Sequence, residues 1–461
     1  MGKYEHGKLA LSLQKYRKRP TEYGIILLSP NHPTKELAVI YRQEIIQDIR
    51  LFTSLPKAKF YDDLFLCLDL SCLSGAHAKT GRPSQKEALL CAFIVMKCEG
   101  FSQITDLVDY LNNNLVIAYY CGFDIMKPLP SYWTFDRFIR KLDNQILKTI
   151  MQTQVLELAR HGVIDTSFIG LDSTPNRANT KQNNPKSFAK NKFKPDNQPR
   201  GDRDCRLGVH TATNQHNEKN YEFYWGYKNH VLCDCITGLP ICEMTTTADI
   251  ADSTVALDIL ARTNAFLSVM ECDFIGDKAY DVKDIYNTVK NKYEGECFIP
   301  INKRNTKNPE LLPIGHPVCD AGFAMNKDGK ERSQNRTRQK FCCPFKLSKD
   351  DSACPCKHKA YHNGKKHRGC TKYITIPDDY RLSIDRDSVA FKSVYALRTE
   401  CERYNSRFKS TGQERLWVRN RKSAENLNSI AHISLLAIAL AAVVTQSGRS
   451  YRCLKTAKRA A

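Results

Sequence analysis

The sequence predicts an α/β protein in which helices pack on a mixed sheet, and three observations predict it. Residues 81–160 show apolar spacing of helical period throughout. From Thr166 the pattern changes to strands: SFIGLDST alternates, and EFYWGYKNHVLCDCITGLPICEMTTT reads as two strands joined by a turn at Thr237-Gly238. Beyond them helix and strand alternate, with helices over 253–266 and 282–292 and strands at MECDFIGD and CFIPI. Strands followed by strand-helix alternation give a layered α/β domain.

Composition narrows the function. The chain has 461 residues, enough for two to four domains. Its 70 Lys and Arg against 49 Asp and Glu leave a formal charge of +21, which draws it to polyanions, nucleic acid first among them. No polybasic segment stands beside a long apolar anchor, so a membrane partner is not expected. Nineteen cysteines would suit a disulfide scaffold only in a small secreted chain. The opening MGKYEHGKLALSLQKYRKRP lacks the apolar core of a signal peptide, which points to a reducing cytoplasm and free thiols. The apolar run 430–444, with His432 and Ser434 inside it, is short for a bilayer and reads as a buried helix.

In chain order, residues 1–75 form a basic, mixed segment in which nothing carries chemistry. The helical domain, 76–160, opens with GRPSQKEALL, where Ser84 and Glu87 have the spacing of a capping box. Ile104, Leu107, Val108 and Leu111 mark a second helix, KPLPS breaks the run, and further helix follows Ser131. Such a module could read DNA or serve packing and dimerisation. The first part of the core spans 161–302, and within it 179–206 is a basic, apolar-poor stretch that reads as a loop. Residues 303–388 form a basic, Cys-rich insertion, because a structureless loop of that length is improbable inside a compact domain. The core resumes over 389–450, and 451–461 is a basic tail.

The chemistry concentrates on acids. Asp172 closes the first strand, Asp277 closes a later one, and a charge at a buried strand end needs a partner. Residues 394–409, VYALRTECERYNSRFK, read as one helix. At about 100° per residue, Tyr395, Arg398, Glu402 and Lys409 fall within an arc of roughly 60°, beside an apolar stripe of Val394, Leu397, Cys401, Tyr404 and Phe408. An Arg–Glu pair at i, i+4 on a solvated face is the plain alternative. Packing that stripe on the sheet would instead bring Glu402 to Asp172 and Asp277. Glu400 lies some 160° away on the helix, Asp273 sits mid-strand, and Asp281 falls in a helix cap. Three hard carboxylates suit Mg²⁺ or Mn²⁺, and two such ions can drive an in-line phosphoryl transfer.

Tyr395, Arg398, Glu402 and Lys409 match in identity and spacing the Tyr-x2-Arg-x3-Glu-x6-Lys signature of the DDE transposases of bacterial insertion sequences. LDST at Asp172 and GDKAYD at Asp277 resemble the two aspartate segments of that family, in the same order, and the resemblance covers roughly residues 80–445. It implies a ribonuclease-H-like core and two bound Mg²⁺ or Mn²⁺ ions on Asp172, Asp277 and Glu402. It also implies cleavage at terminal inverted repeats, transfer of the 3′-hydroxyl strand into target DNA, and a homodimer on DNA near the bacterial nucleoid. Tyr395, Arg398 and Lys409 would then meet DNA, Arg398 by bidentate phosphate contact. A regulatory DNA-binding descendant of a transposase and a nuclease of the same fold are the alternatives.

Cys319, Cys343, Cys354, Cys356 and Cys370 offer thiols for a zinc site, although Cys354-Pro-Cys356 and Cys342-Cys343 depart from the Cys-x2-4-Cys spacing. Free thiols in the insertion are the other reading. Cys233, Cys235 and Cys242 fall in strands as packed thiols, and His210 and His230 have no ligand partner at a telling spacing. Trp225 and Trp417 are core candidates before they are base-stacking ones.

Overall fold

The computed structural model describes residues 54–73, 85–180, 198–213, 219–302, 311–333, 336–346, 369–376 and 380–446. The chain divides into two compact units, Met1–Lys59 and Phe60–Ala461, and apart from the first turn of α1 the second holds everything below. After α1 (Pro56–Leu66) come α2 (Lys86–Glu99), α3 (Ile104–Asn113), α4 (Leu115–Tyr120), α5 (Tyr132–Lys141) and α6 (Asn144–Arg160). α2 is buried from Ala88 to Cys98, so it is a core helix and not an amphipathic surface one. Gly100, at φ +76°, closes it by donating its N–H to the Lys97 carbonyl. Its N-cap is Gln85, without a side-chain hydrogen bond, and Ser84 of the expected capping box lies outside the described residues. α6 starts on Asp143, whose carboxylate accepts from the Gln145 N–H.

The sheet contains β1 (Phe168–Arg177), β2 (Arg206–Thr213), β3 (Lys219–Asp234), β4 (Pro240–Thr247), β5 (Asp273–Ile275) and β6 (Glu296–Phe298), ordered β2-β3-β1-β5-β6 with β4 also on β3. β3, at 16 residues, is long enough to pair with β2 through its first half and with β4 through its second. β1 is antiparallel to β3 and parallel to β5, and β6 continues the parallel part. Parallel neighbours need crossovers, supplied here by α7 (Asp252–Asn264) before β5 and α8 (Lys283–Lys292) before β6.

Within the insertion, β7 (Asn326–Ser333), β8 (Arg336–Cys342) and β9 (Thr371–Ile376) form a separate antiparallel sheet. Four helices follow: α9 (Tyr380–Ser383), α10 (Val389–Ala396), α11 (Thr399–Phe408) and α12 (Arg421–Val444). α12 has the length and apolarity to cross a membrane, yet 83% of its apolar window is buried inside the protein, against α6, α2 and β4. One continuous apolar core joins α1–α6, the main sheet and α12.

Three expectations are corrected. β5 does not run to Asp277 but stops at Ile275, because Asp277 caps the short turn Lys278–Tyr280 with its side chain. β1 does not end at Asp172 but runs on to Arg177, because β3 continues to pair with it through Gly226. The helix expected over 394–409 is two helices, broken at Leu397 and Arg398 by i→i+3 bonds from Leu397 to Val394 and from Arg398 to Tyr395.

Candidate active site

The site begins with strand register. β1 and β5 pair with Gly170 opposite Ile275, and two residues further along each lie Asp172 and Asp277. Asp172 is still within β1, while Asp277 lies just past the end of β5, and both line the same cleft. Gly170 has a specific reason to lack a side chain, since a Cβ there would collide with the sulfurs of Cys401 and Cys235. Its bareness seats α11 directly on β1. The seat is completed by Cys401, Tyr404, Asn405 and Phe408, all buried, while Glu402 stays on the open face.

Asp172, Asp277, Glu402, Arg398 and Lys409 line one cleft of about 560 Å³, together with Lys228, Asp252, His210 and Asn405. Asp172 accepts hydrogen bonds from the Ser173 N–H and from Asn405 Nδ2, each at 2.9 Å. Asp277 caps the short turn Lys278–Tyr280 by accepting from the Ala279 N–H at 2.7 Å. Arg398 holds Glu402 through a 2.7 Å bond. Tyr395 is not part of the cleft wall. It precedes the helix break, and its ring stacks on Phe391 at 5.9 Å. Its phenol lies beside Arg398, with Asp277 and Glu402 near enough to act on it.

The competing acids go elsewhere. Asp281 is fully buried and accepts from Tyr286 Oη and the Asn302 N–H. Glu400 pairs with Arg403, away from the cleft, and Asp273 lies within β5. Several cleft residues escaped the sequence reading, among them Lys228, Asp252 and Asn405. Asp252 heads α7, 2.9 Å from Lys228 Nζ and 3.6 Å from His230 Nδ1, and its only signal was an acid at a helix start. Asn405 falls about 20° from Arg398 on a helical wheel, a signal that was there to use.

Burial pushes Asp172 up to about 7, against the pull of Arg398 and the Ser173 N–H and with a further push from Asp277. Asp277 is raised as well, chiefly by burial. Burial works against the Arg398 charge, but Asp172, Tyr395, Glu402 and Asp277 around it hold its pKa above the ordinary arginine value. Arg398 is thus the resident counter-charge of the acids. His230, held at about 4 by burial, stays neutral and bonds Thr246 Oγ1 at 2.9 Å.

In donor chemistry the site fits a hard divalent cation, since it gathers carboxylate oxygens from Asp172, Asp277 and Glu402 on one cleft. As the side chains stand, no three His, Cys, Asp or Glu among the described residues are grouped to hold a metal, and Glu402 is committed to Arg398. The same holds for the thiols of the insertion. Cys319, Cys343 and Cys370 pack with Met325 and Phe341 as the small apolar core of the β7–β9 sheet, and Cys354 and Cys356 lie outside the described residues. Trp225 is a core residue, whereas Trp417 is partly exposed under the Arg415 guanidinium at 4.7 Å.

The family described as "Transposase DDE domain" matches residues 159–437, and that described as "Transposase domain (DUF772)" matches 50–141. No curated protein matches the chain significantly. Among solved structures, the cryo-EM structure of the piggyBac transposase synaptic complex with hairpin DNA is similar at a TM-score of 0.38 and 11% identity, over 90% of this chain and 79% of that one. A likeness that low carries no argument.

Proposed function

The chain belongs to the family of transposases with a DDE domain, and from that premise we propose that its acidic cleft cuts the ends of an insertion sequence and joins the freed 3′-hydroxyl strand to target DNA. Members of this family act on DNA. The observation that carries the reading is the convergence of Asp172, Asp277 and Glu402 on one cleft that Lys228, Arg398 and Lys409 also line. With β2 set aside, the order β4-β3-β1-β5-β6, antiparallel then parallel, supports a ribonuclease-H-like core.

Each residue has a task. Asp172 presents its carboxylate from β1 and Asp277 from just past β5, and Glu402 adds the third from α11. Two Mg²⁺ or Mn²⁺ ions held there would activate the attacking oxygen and stabilise the leaving one. Arg398 and Lys409 take backbone phosphate. Because Arg398 is bonded to Glu402, a phosphate that draws it away frees Glu402 for the cation site. DNA and cation then favour each other's binding, as linkage requires. Tyr395, raised above its ordinary value mainly by burial, acts by backing Arg398.

The partners are the terminal inverted repeats and target DNA, bound by a homodimer in the bacterial cytoplasm. The exposed face of α3 carries Asp106 and Asp109, which favours packing or dimerisation over phosphate contact for that helix. A structural zinc in the insertion belongs to this reading only if Cys354 or Cys356 joins Cys319, Cys343 and Cys370 as the fourth ligand. The test is cleavage of duplexes bearing the element's ends with Mg²⁺. The wild type is expected to cut and to give strand-transfer products, and Asp277→Ala is expected to do neither. Cutting without joining would make the protein a nuclease, and an active Asp277→Ala would remove the cleft as the site.

A further inference from the structure

Asn405 stands one turn beyond Glu402 on α11, with 8% of its surface exposed, and lines the cleft. Its two amide atoms are in different situations. Nδ2 donates to Asp172 Oδ2 at 2.9 Å, while the buried Oδ1 has no hydrogen-bond partner among the described residues. The amide cannot be turned round to relieve this, because Oδ1 would then face a carboxylate oxygen, acceptor against acceptor. A buried carbonyl oxygen without a donor costs about 1–3 kcal/mol. The two acids beside it are satisfied: Glu402 is paired with Arg398, and Asp172 has one donor on each oxygen, while Arg398 Nε is the other buried atom of this wall without a partner among the described residues. The unmet oxygen belongs to the same amide that holds Asp172 in the cleft wall, so a donor arriving with whatever the acids bind would satisfy it.

We infer that Asn405 is a positioning residue of the cleft: its Nδ2 fixes the aim of the Asp172 carboxylate, and its Oδ1 accepts a hydrogen bond from water carried by a divalent cation bound there. The inference rests on the proposed cation site and adds a residue outside the three acids. The physical reason is the one by which outer groups orient metal-binding carboxylates. A ligand oxygen held by a donor on one side presents its remaining lone pairs in a set direction, and loss of such a group typically lowers metal affinity about 10- to 100-fold. Only an amide serves both ends. An Asp at 405 would repel Asp172, and a Leu of similar size would satisfy neither.

The experiment measures Mn²⁺ binding to the full-length, DNA-free protein by the electron paramagnetic resonance of the free ion, alongside thermal unfolding. The comparison uses wild type, Asp172→Ala, Asn405→Leu and Asn405→Ala, the last so that overpacking cannot decide the result. The inference expects both Asn405 variants to bind Mn²⁺ about 10- to 100-fold more weakly than wild type while retaining its unfolding midpoint within a few degrees. It also expects them to lower kcat on element ends with KM for DNA nearly unchanged, because Asn405 does not reach for phosphate. A folded Asn405 variant that binds Mn²⁺ like wild type overturns the inference and leaves the three acids in place, provided Asp172→Ala has lost the ion. A wild type that binds no Mn²⁺, or an Asp172→Ala that binds as wild type does, overturns the cation reading and this inference with it.

Discussion

The carboxylates around Asp172 and the thiols around Cys343 are both gatherings of metal-competent side chains, and the protein treats them in opposite ways. Asp172 and Asp277 face a cleft shared with Arg398, Lys228 and Lys409, and burial raises the pKa of both acids. Cys319, Cys343 and Cys370 face Met325 and Phe341, with no more than 6% of any of the three exposed. A thiol is a small apolar side chain that a core accepts at little cost. A carboxylate withdrawn from water without a matching cation is costly. Thiols brought together by a fold therefore need no counter-charge to explain them, whereas Asp172 and Asp277 do, and Arg398 supplies it.

The largest expected effect tests the acidic half of that contrast. Glu402→Gln should reduce single-turnover cutting of element ends on the order of 10³-fold or more, while Cys343→Val should cut at the wild-type rate. Equal losses in the two would dissolve the comparison. Next in size is Arg398→Gln, which removes the resident cation from among four negative or negative-capable groups. Without DNA it should bind Mn²⁺ about tenfold more tightly, roughly 1.4 kcal/mol, and with DNA it should show a raised KM. Mn²⁺ affinity that falls in the absence of DNA would mean that Arg398 supports the cation site and does not compete with it.

A smaller effect follows from pH. Asp172 is raised above its unfolded value to about 7, so the folded state holds a proton there that the unfolded chain has released. Stability from this group is fully present below about pH 4 and is lost as pH rises through about 7. Without divalent ions, the unfolding midpoint of wild type should decline across that interval more than that of Asp172→Asn, as followed by circular dichroism. Parallel curves would place the Asp172 carboxylate in water. The smallest change is expected from Cys343→Val, which keeps an apolar side chain and removes a sulfur. Its midpoint should stay within a few degrees of wild type, an ordinary cost for a near-isosteric core change. Collapse of the insertion accompanied by loss of stoichiometric zinc, read by atomic absorption, would turn the thiol core into a metal centre.

Much of the site was legible because its signals are local. Residue identity and the spacing Arg398–Glu402–Lys409 placed these three on one helical arc, and all three line the cleft. Tyr395 stands in α10, before an i→i+3 turn at Leu397 and Arg398 that apolar spacing alone does not reveal, and it lies beside Arg398 without lining the cleft. Asp172 appeared to end a strand because SFIGLDST loses its alternation there, yet the β3 ladder carries β1 to Arg177. Asp252 was invisible for a different reason: it enters the cleft through the packing of α7, not through any motif.

The sequence by itself determined which residues could do chemistry, since side-chain type and helical or strand period are properties of short segments. Tertiary structure decided what each one faces. Register set Asp277 beside Asp172, and the missing side chain at Gly170 set how closely α11 approaches β1. The same is true of Lys97, fully buried in α2 with its Nζ on Gln413 Oε1 at 2.9 Å and its pKa lowered to about 7 by burial. Its partner lies 316 residues away in the chain, and no local pattern encodes a contact at that distance. Burial, charge balance and hydrogen-bond partners are sums over neighbours in space, and only the folded chain supplies them.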